Sequence, residues 1–305
     1  MGVSMAITLD QAARGRVTAD GADLAFGHWP GRGPAVVALH GLTASHVNFA
    51  GIADRLAGRR PLLAFDLRGR GRSDKHGPFG MAQHAKDVAA AMASFGLGES
   101  VVVGHSMGAY VAVALAAMYP QRVSGLVLID GGVPVPAPPV PVEQLLAPQL
   151  ARLDQIYPDV ESYLDFWRAL PVLPKESWEG PGRAWIEAYL RYDLGGEPPA
   201  LRPRASAEAV AADLADSLDP QVLSERLAGL TVPVLLLRAE HGFLPGHPGL
   251  IADPSPAAGL VANFTDRLLP GTTHYTIAMD DPGATTVAEA VLAFADACDR
   301  LKERA

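Results

Sequence analysis

Residues 101–120 read VVVGHSMGAYVAVALAAMYP, and no other stretch limits the fold so tightly. A run of valines suits a strand buried on both faces, and the alanine-rich run after it suits a buried helix. Between them the chain must turn within a few residues at Ser106, with Gly104 and Gly108 two positions to either side. A side chain at either flank would stand between strand and helix, so G-x-S-x-G predicts a sharp strand-to-helix turn. Such a turn holds its central residue in strained backbone and lifts the hydroxyl above the carboxyl edge of the sheet, where open α/β sheets keep their ligands. It also aims the positive end of the following helix at that hydroxyl, with the Met107 N–H free to donate.

The surroundings repeat the strand-helix alternation. PAVVALHG and RPLLAFD are short apolar runs ending in Gly or Asp, and ASHVNFAGIADRLAG between them has helical spacing. MAQHAKDVAAAMASFG is a second amphipathic helix, and VSGLVLID a further strand. The order predicts a doubly wound, mostly parallel sheet flanked by helices. After Asp130 the run GGVPVPAPPVPVEQLLAP is too rich in proline for strand or helix interior and reads as a stiff connector. Helices are expected over 143–156, 159–170 and 181–193. Sheet patterning returns at TVPVLLLRAE and DRLLPGTTH, and a last helix spans 282–302. The division is therefore a core of 1–132 and 220–305 with a helical cap insertion at 133–219.

Composition removes several classes. The chain has 305 residues, enough to bury roughly three quarters of its unfolded surface without metal or disulfide support. A formal net charge of −8 argues against a sequence-independent grip on nucleic-acid phosphates. The basic string DLRGRGRSD is interleaved with glycine and reads as a turn with solvated arginines. The single cysteine, Cys298, excludes an intramolecular disulfide and reads as a buried spectator. Nothing resembles a signal peptide or a membrane span, and no pair of histidines at zinc-ligand spacing is read with a carboxylate nearby, so the expectation is a soluble cytoplasmic protein without metal or cofactor.

From HGLTASHVNF through DLRGRGRSD, GHSMG and LVLID to PGTTH, the chain resembles the α/β-hydrolase fold family, cap insertion included. The resemblance implies Ser106 as nucleophile, the Leu42 and Met107 N–H groups as an oxyanion hole, and His274 as the base. His46, His241 and His247 are candidate pocket residues, His40 and His105 structural, and His28, His76 and His84 surface. The family usually carries its triad acid in a G-x-x-D-like turn after the strand that follows the cap, and Gly242 stands there instead. Asp130, at a strand end where some members carry the acid, replaces it; Glu240 is the alternative, and Asp253 or no acid remains.

A serine nucleophile excludes the family's dehalogenase and epoxide-hydrolase branches, which attack with aspartate. What remains is transfer of an acyl group to water: an ester or lactone of a small apolar substrate, with Trp167, Trp185, Tyr189 and His46 in contact with it. The same triad serves carbon–carbon hydrolases and cofactor-free perhydrolases. From another class, a small-ligand receptor on this fold would have the site without the turnover. No nucleic-acid or membrane partner is expected, and the oligomeric state is left open.

Overall fold

A computed structural model describes residues 12–135, 147, 150–217 and 219–304. Residues 1–11, most of the proline-rich connector and the first turns of the helix expected at 143–156 lie outside the described residues; within them, 152–154 form a 3₁₀ turn.

Eight strands make one sheet: β1 (Ala13–Ala19), β2 (Ala22–Trp29), β3 (Val36–Leu39), β4 (Leu62–Phe65), β5 (Ser100–His105), β6 (Val123–Ile129), β9 (Val234–Ala239) and β10 (Phe264–Leu269). Their spatial order is β1-β2-β4-β3-β5-β6-β9-β10, and every pairing from β4 to β10 is parallel. A separate two-residue ladder joins β7 (Leu194–Gly195) to β8 (Arg202–Pro203). The β1–β2 hairpin was not expected; it turns on Asp20 and Gly21, both at positive φ, the signature of a tight Asp-Gly hairpin.

Alternation along the strands explains the double winding. On β5, Val102 packs with α2 (Met81–Ser94), α3 (Met107–Met118) and α7 (Pro220–Ala228), while Val101 and Val103 pack with α1 (Ala50–Leu56) and α10 (Gly283–Lys302). Leu126 and Leu128 of β6 face the first group, Val127 and Ile129 the second. With both faces covered, these strands read as unbroken apolar runs. Cys298 is buried against Gly125 on the α10 face, and burial pushes its thiol up to about 11. Among the described residues no helix is long and apolar enough to cross a membrane.

The segment between β6 and β9 carries α4 (Val160–Ala169), α5 (Arg183–Asp193) and α6 (Ala207–Ser217). Asp159 caps α4 by accepting the Ser162 N–H at 2.7 Å. The aromatic side chains of α4 and α5 form a third apolar cluster that takes in Ala44, Val47 and Ala50 from the loop and helix after β3. Three sequence readings are corrected here. Arg68 and Arg70 are buried, not solvated, because each meets a buried carboxylate, Asp87 and Asp213. His84 is buried too, 2.8 Å from Asp213. Their partners are remote in sequence, so local composition gave the opposite impression.

Candidate active site

Ser106 sits between β5 and α3 at φ 54, ψ −121. Glycine is required around it. A Cβ on Gly108 would fall onto the Leu39 carbonyl oxygen, one on Gly104 would lie 2.5 Å from the Ala109 Cα, and one on Gly131 would lie 2.5 Å from the Ser106 carbonyl oxygen. The Ser106 N–H donates to the Ile129 carbonyl at 2.9 Å, so strand pairing continues into the turn. Gly41 passes beside the serine, its would-be Cβ 3.3 Å from that of Ser106.

His274 arrives from the loop after β10. Its Nε2 lies 3.0 Å from Ser106 Oγ and its Nδ1 2.7 Å from Asp130 Oδ2. Two backbone contacts hold it. Its N–H donates to the Gly242 carbonyl at 3.0 Å, and its carbonyl accepts from His105 Nε2 at 2.9 Å. Asn48 Nδ2 donates to His105 Nδ1 at 3.3 Å, a pattern that fits a neutral His105 ring with its proton on Nε2. Phe243 stands edge-on at 4.9 Å between ring centroids, completing the wall beside His274.

Asp130 is buried at the end of β6 with φ 46. Its Oδ1 accepts the Ala239 N–H at 3.2 Å, leaving Oδ2 to the imidazole. Gly131 and Gly132 follow, so the string IDGG marked a second tight turn against Ser106 that sequence reading passed over. Glu240 points elsewhere: its Oε2 accepts the Gly271 N–H at 2.7 Å and the side chain is 43% exposed. Asp253 is occupied in capping Ser255.

The four side chains assigned to substrate contact all make packing contacts within the protein. His46 gives Nδ1 to Asp66 at 2.8 Å and lays its other edge toward Gly27 and Trp29. Trp185 covers Gly51 and Ala284, with Arg55 over its ring at 5.2 Å. Trp167 and Tyr189 are buried in the aromatic cluster of the insertion, where Arg152 lies 5.3 Å above the Trp167 ring. An apolar pattern gives the same signal for a small core as for a lining. Among the described residues no group of three or more His, Cys, Asp or Glu could hold a metal ion.

His40 and His105 give the molecule an acid limit. Burial above all holds each imidazole down to about 3. In the unfolded chain each takes a proton near pH 6.5, so below that pH the unfolded state binds more protons and stability falls with pH. Between pH 7 and 5.5 the two together are expected to cost about 2–3 kcal/mol in denaturant-melt stability. His105→Gln is expected to remove about half of that slope, and an unchanged slope would refute the assignment.

A parallel sheet in this strand order, with the serine turn at its carboxyl edge, defines the class: a doubly wound α/β hydrolase. Residues 34–164 match the family described as alpha/beta hydrolase fold. The chain is 30% identical over 254 residues to the 2-(acetamidomethylene)succinate hydrolase of Mesorhizobium japonicum, covering 80% of this chain and 83% of that one. It therefore belongs to the α/β-hydrolase fold family and is a hydrolase. The crystal structure of an E-2-(acetamidomethylene)succinate hydrolase superposes with a TM-score of 0.76 at 26% identity, over 93% of this chain and 99% of that one. N-formylmaleamate deformylase of Pseudomonas putida is 34% identical over 121 residues, 39% of this chain and 45% of the deformylase.

Proposed function

We propose that the protein is a serine hydrolase that opens the ester or lactone bond of a small apolar substrate through an acyl-enzyme. The observation that carries this is the chain of contacts from Asp130 through His274 to Ser106, at 2.7 and 3.0 Å. A serine hydroxyl is too weak a nucleophile unaided, and His274 Nε2 is within reach to take its proton as Oγ attacks the carbonyl carbon. Asp130 keeps the Nδ1 proton in place and stabilises the imidazolium. The negative oxygen of the tetrahedral intermediate faces the Leu42 and Met107 N–H groups, and His274 then protonates the departing alcohol. Water, activated by the same imidazole, releases the acid and restores Ser106. In this reading residues 133–219 are the cap over a core of 1–132 and 220–305, and the substrate meets the site beneath it.

A second reading is cleavage of an N-acyl bond, favoured by the names of the relatives, which include a hydrolase of 2-(acetamidomethylene)succinate and a deformylase. The triad would be the same, with His274 protonating a nitrogen in place of an oxygen. Turnover of p-nitrophenyl acetate, p-nitrophenyl butyrate and simple lactones, measured beside N-acetyl and N-formyl compounds, separates the two. The ester reading expects a p-nitrophenol burst, and a fluorophosphonate adduct located on Ser106 by mass. Faster cleavage of the N-acyl compounds would hand the site to the second reading. Ligand-induced stabilisation with no turnover of either class would overturn both.

A further inference from the structure

Beneath the loop after β3 lies a guanidinium that the chemistry above does not use. Arg70 is fully buried, and each of its five N–H groups has an acceptor. Nε donates to the Leu42 carbonyl at 2.9 Å, and Nη2 to Met107 Sδ at 3.9 Å and the Ala209 carbonyl at 3.3 Å. Nη1 donates to the Arg68 carbonyl at 3.1 Å and to Asp213 Oδ2. Asp213, on α6, also accepts from His84 Nε2 and from the Gly80 N–H. One fork thus touches both residues whose N–H groups would hold the oxyanion, and its counter-ion comes from the segment between β6 and β9.

The neighbouring carbonyl is held in the same way. Arg152 Nη2 donates to Thr43 at 3.3 Å, and its Nη1 pairs with Asp193 at 2.7 Å. Two successive carbonyls of an irregular loop are therefore fixed by two buried arginines, each neutralised by an aspartate of that segment. Buried ion pairs can commonly be replaced by apolar side chains without loss of stability, so stability alone is a weak reason to keep one here. Geometry is a better reason, since oxyanion donors act only when held within about 0.5 Å of the productive position.

We propose that Arg70 is a positioning residue for the oxyanion hole, holding Leu42 and Met107 in mutual register through Asp213. The inference rests on the serine-hydrolase reading above. Lysine has three donors and no planar fork, so it cannot span Leu42, Met107 and Asp213 together. In Arg70→Lys, kcat for p-nitrophenyl butyrate is expected to fall about ten- to a hundredfold, less than the loss of a whole donor. Affinity for an alkylboronic acid, whose tetrahedral adduct on Ser106 presents an oxygen to the same donors, is expected to fall by a matching factor. KM and the acid limb of the kcat/KM pH profile are expected to stay in place, because the His274–Asp130 contact is untouched. Asp213→Asn, closer in shape, is expected to shift kcat and boronate affinity together by a smaller factor, and it carries the test if Arg70→Lys does not fold. A merely structural role would lower the melting temperature and leave boronate affinity alone. A folded variant with full kcat, or with reduced kcat and intact boronate binding, overturns the proposal. If the wild-type protein takes no phosphonate on Ser106, the reading beneath it fails first, and the two failures are told apart.

Discussion

Ser106→Ala is expected to lower kcat by about 10⁵-fold or more, with substrate affinity nearly unchanged. The size follows from how the group works. Removing the nucleophile of such a constellation forfeits almost everything its members do together, and only binding and the oxyanion donors continue to act, for about 10³–10⁴ over water. The substitution is also clean. The strain at φ 54 is a backbone property that alanine shares with serine, and the Ser106 N–H to Ile129 bond does not involve the side chain. Melting temperature should therefore stay within a few degrees, and fluorophosphonate labelling should disappear. Turnover within tenfold of wild type would mean that water or another group attacks the carbonyl, and the acyl-enzyme would have to be abandoned.

What the sequence made legible was whatever is forced locally. Gly104, Ser106 and Gly108 could be read together because the turn needs them within five residues, and the structure adds the backbone atoms a Cβ would strike. The buried strands were plain because both faces of the sheet are covered. Asp130 was readable as a polar end to an apolar strand, and Gly242 as the place where the usual carboxylate is missing. The illegible features are pairings across long separations. Arg70 meets Asp213, and His46 meets Asp66, only once the chain has folded. Before that, a glycine-interleaved arginine looks solvated and a histidine in the loop after β3 looks like a pocket residue. The tryptophans are ambiguous in another way: Trp167 and Trp185 pack in an apolar cluster, and burial alone does not tell a small core from a substrate wall.

Asp130→Asn is expected to lower kcat by about 10³–10⁴-fold, while Glu240→Gln stays within about twofold of wild type. The outcome depends on which atom of the new amide faces the ring. Oδ1 of Asp130 accepts the Ala239 N–H, so an asparagine oxygen has a donor waiting there. That orientation leaves the NH₂ facing His274 Nδ1, where a carboxylate oxygen stood at 2.7 Å. An N–H aimed at Nδ1 selects the tautomer with its proton on Nε2, and Nε2 is the atom facing Ser106 Oγ. The ring would then offer a proton where it should accept one, and the imidazolium formed during attack would have lost its counter-charge. KM should move little, since neither defect touches bound substrate before the reaction begins. Glu240 has no such leverage, because its carboxylate is exposed and engaged with Gly271. Measuring kcat for both variants on one ester is decisive: a thousandfold loss in Glu240→Gln beside an active Asp130→Asn would reassign the acid to the far side of the loop.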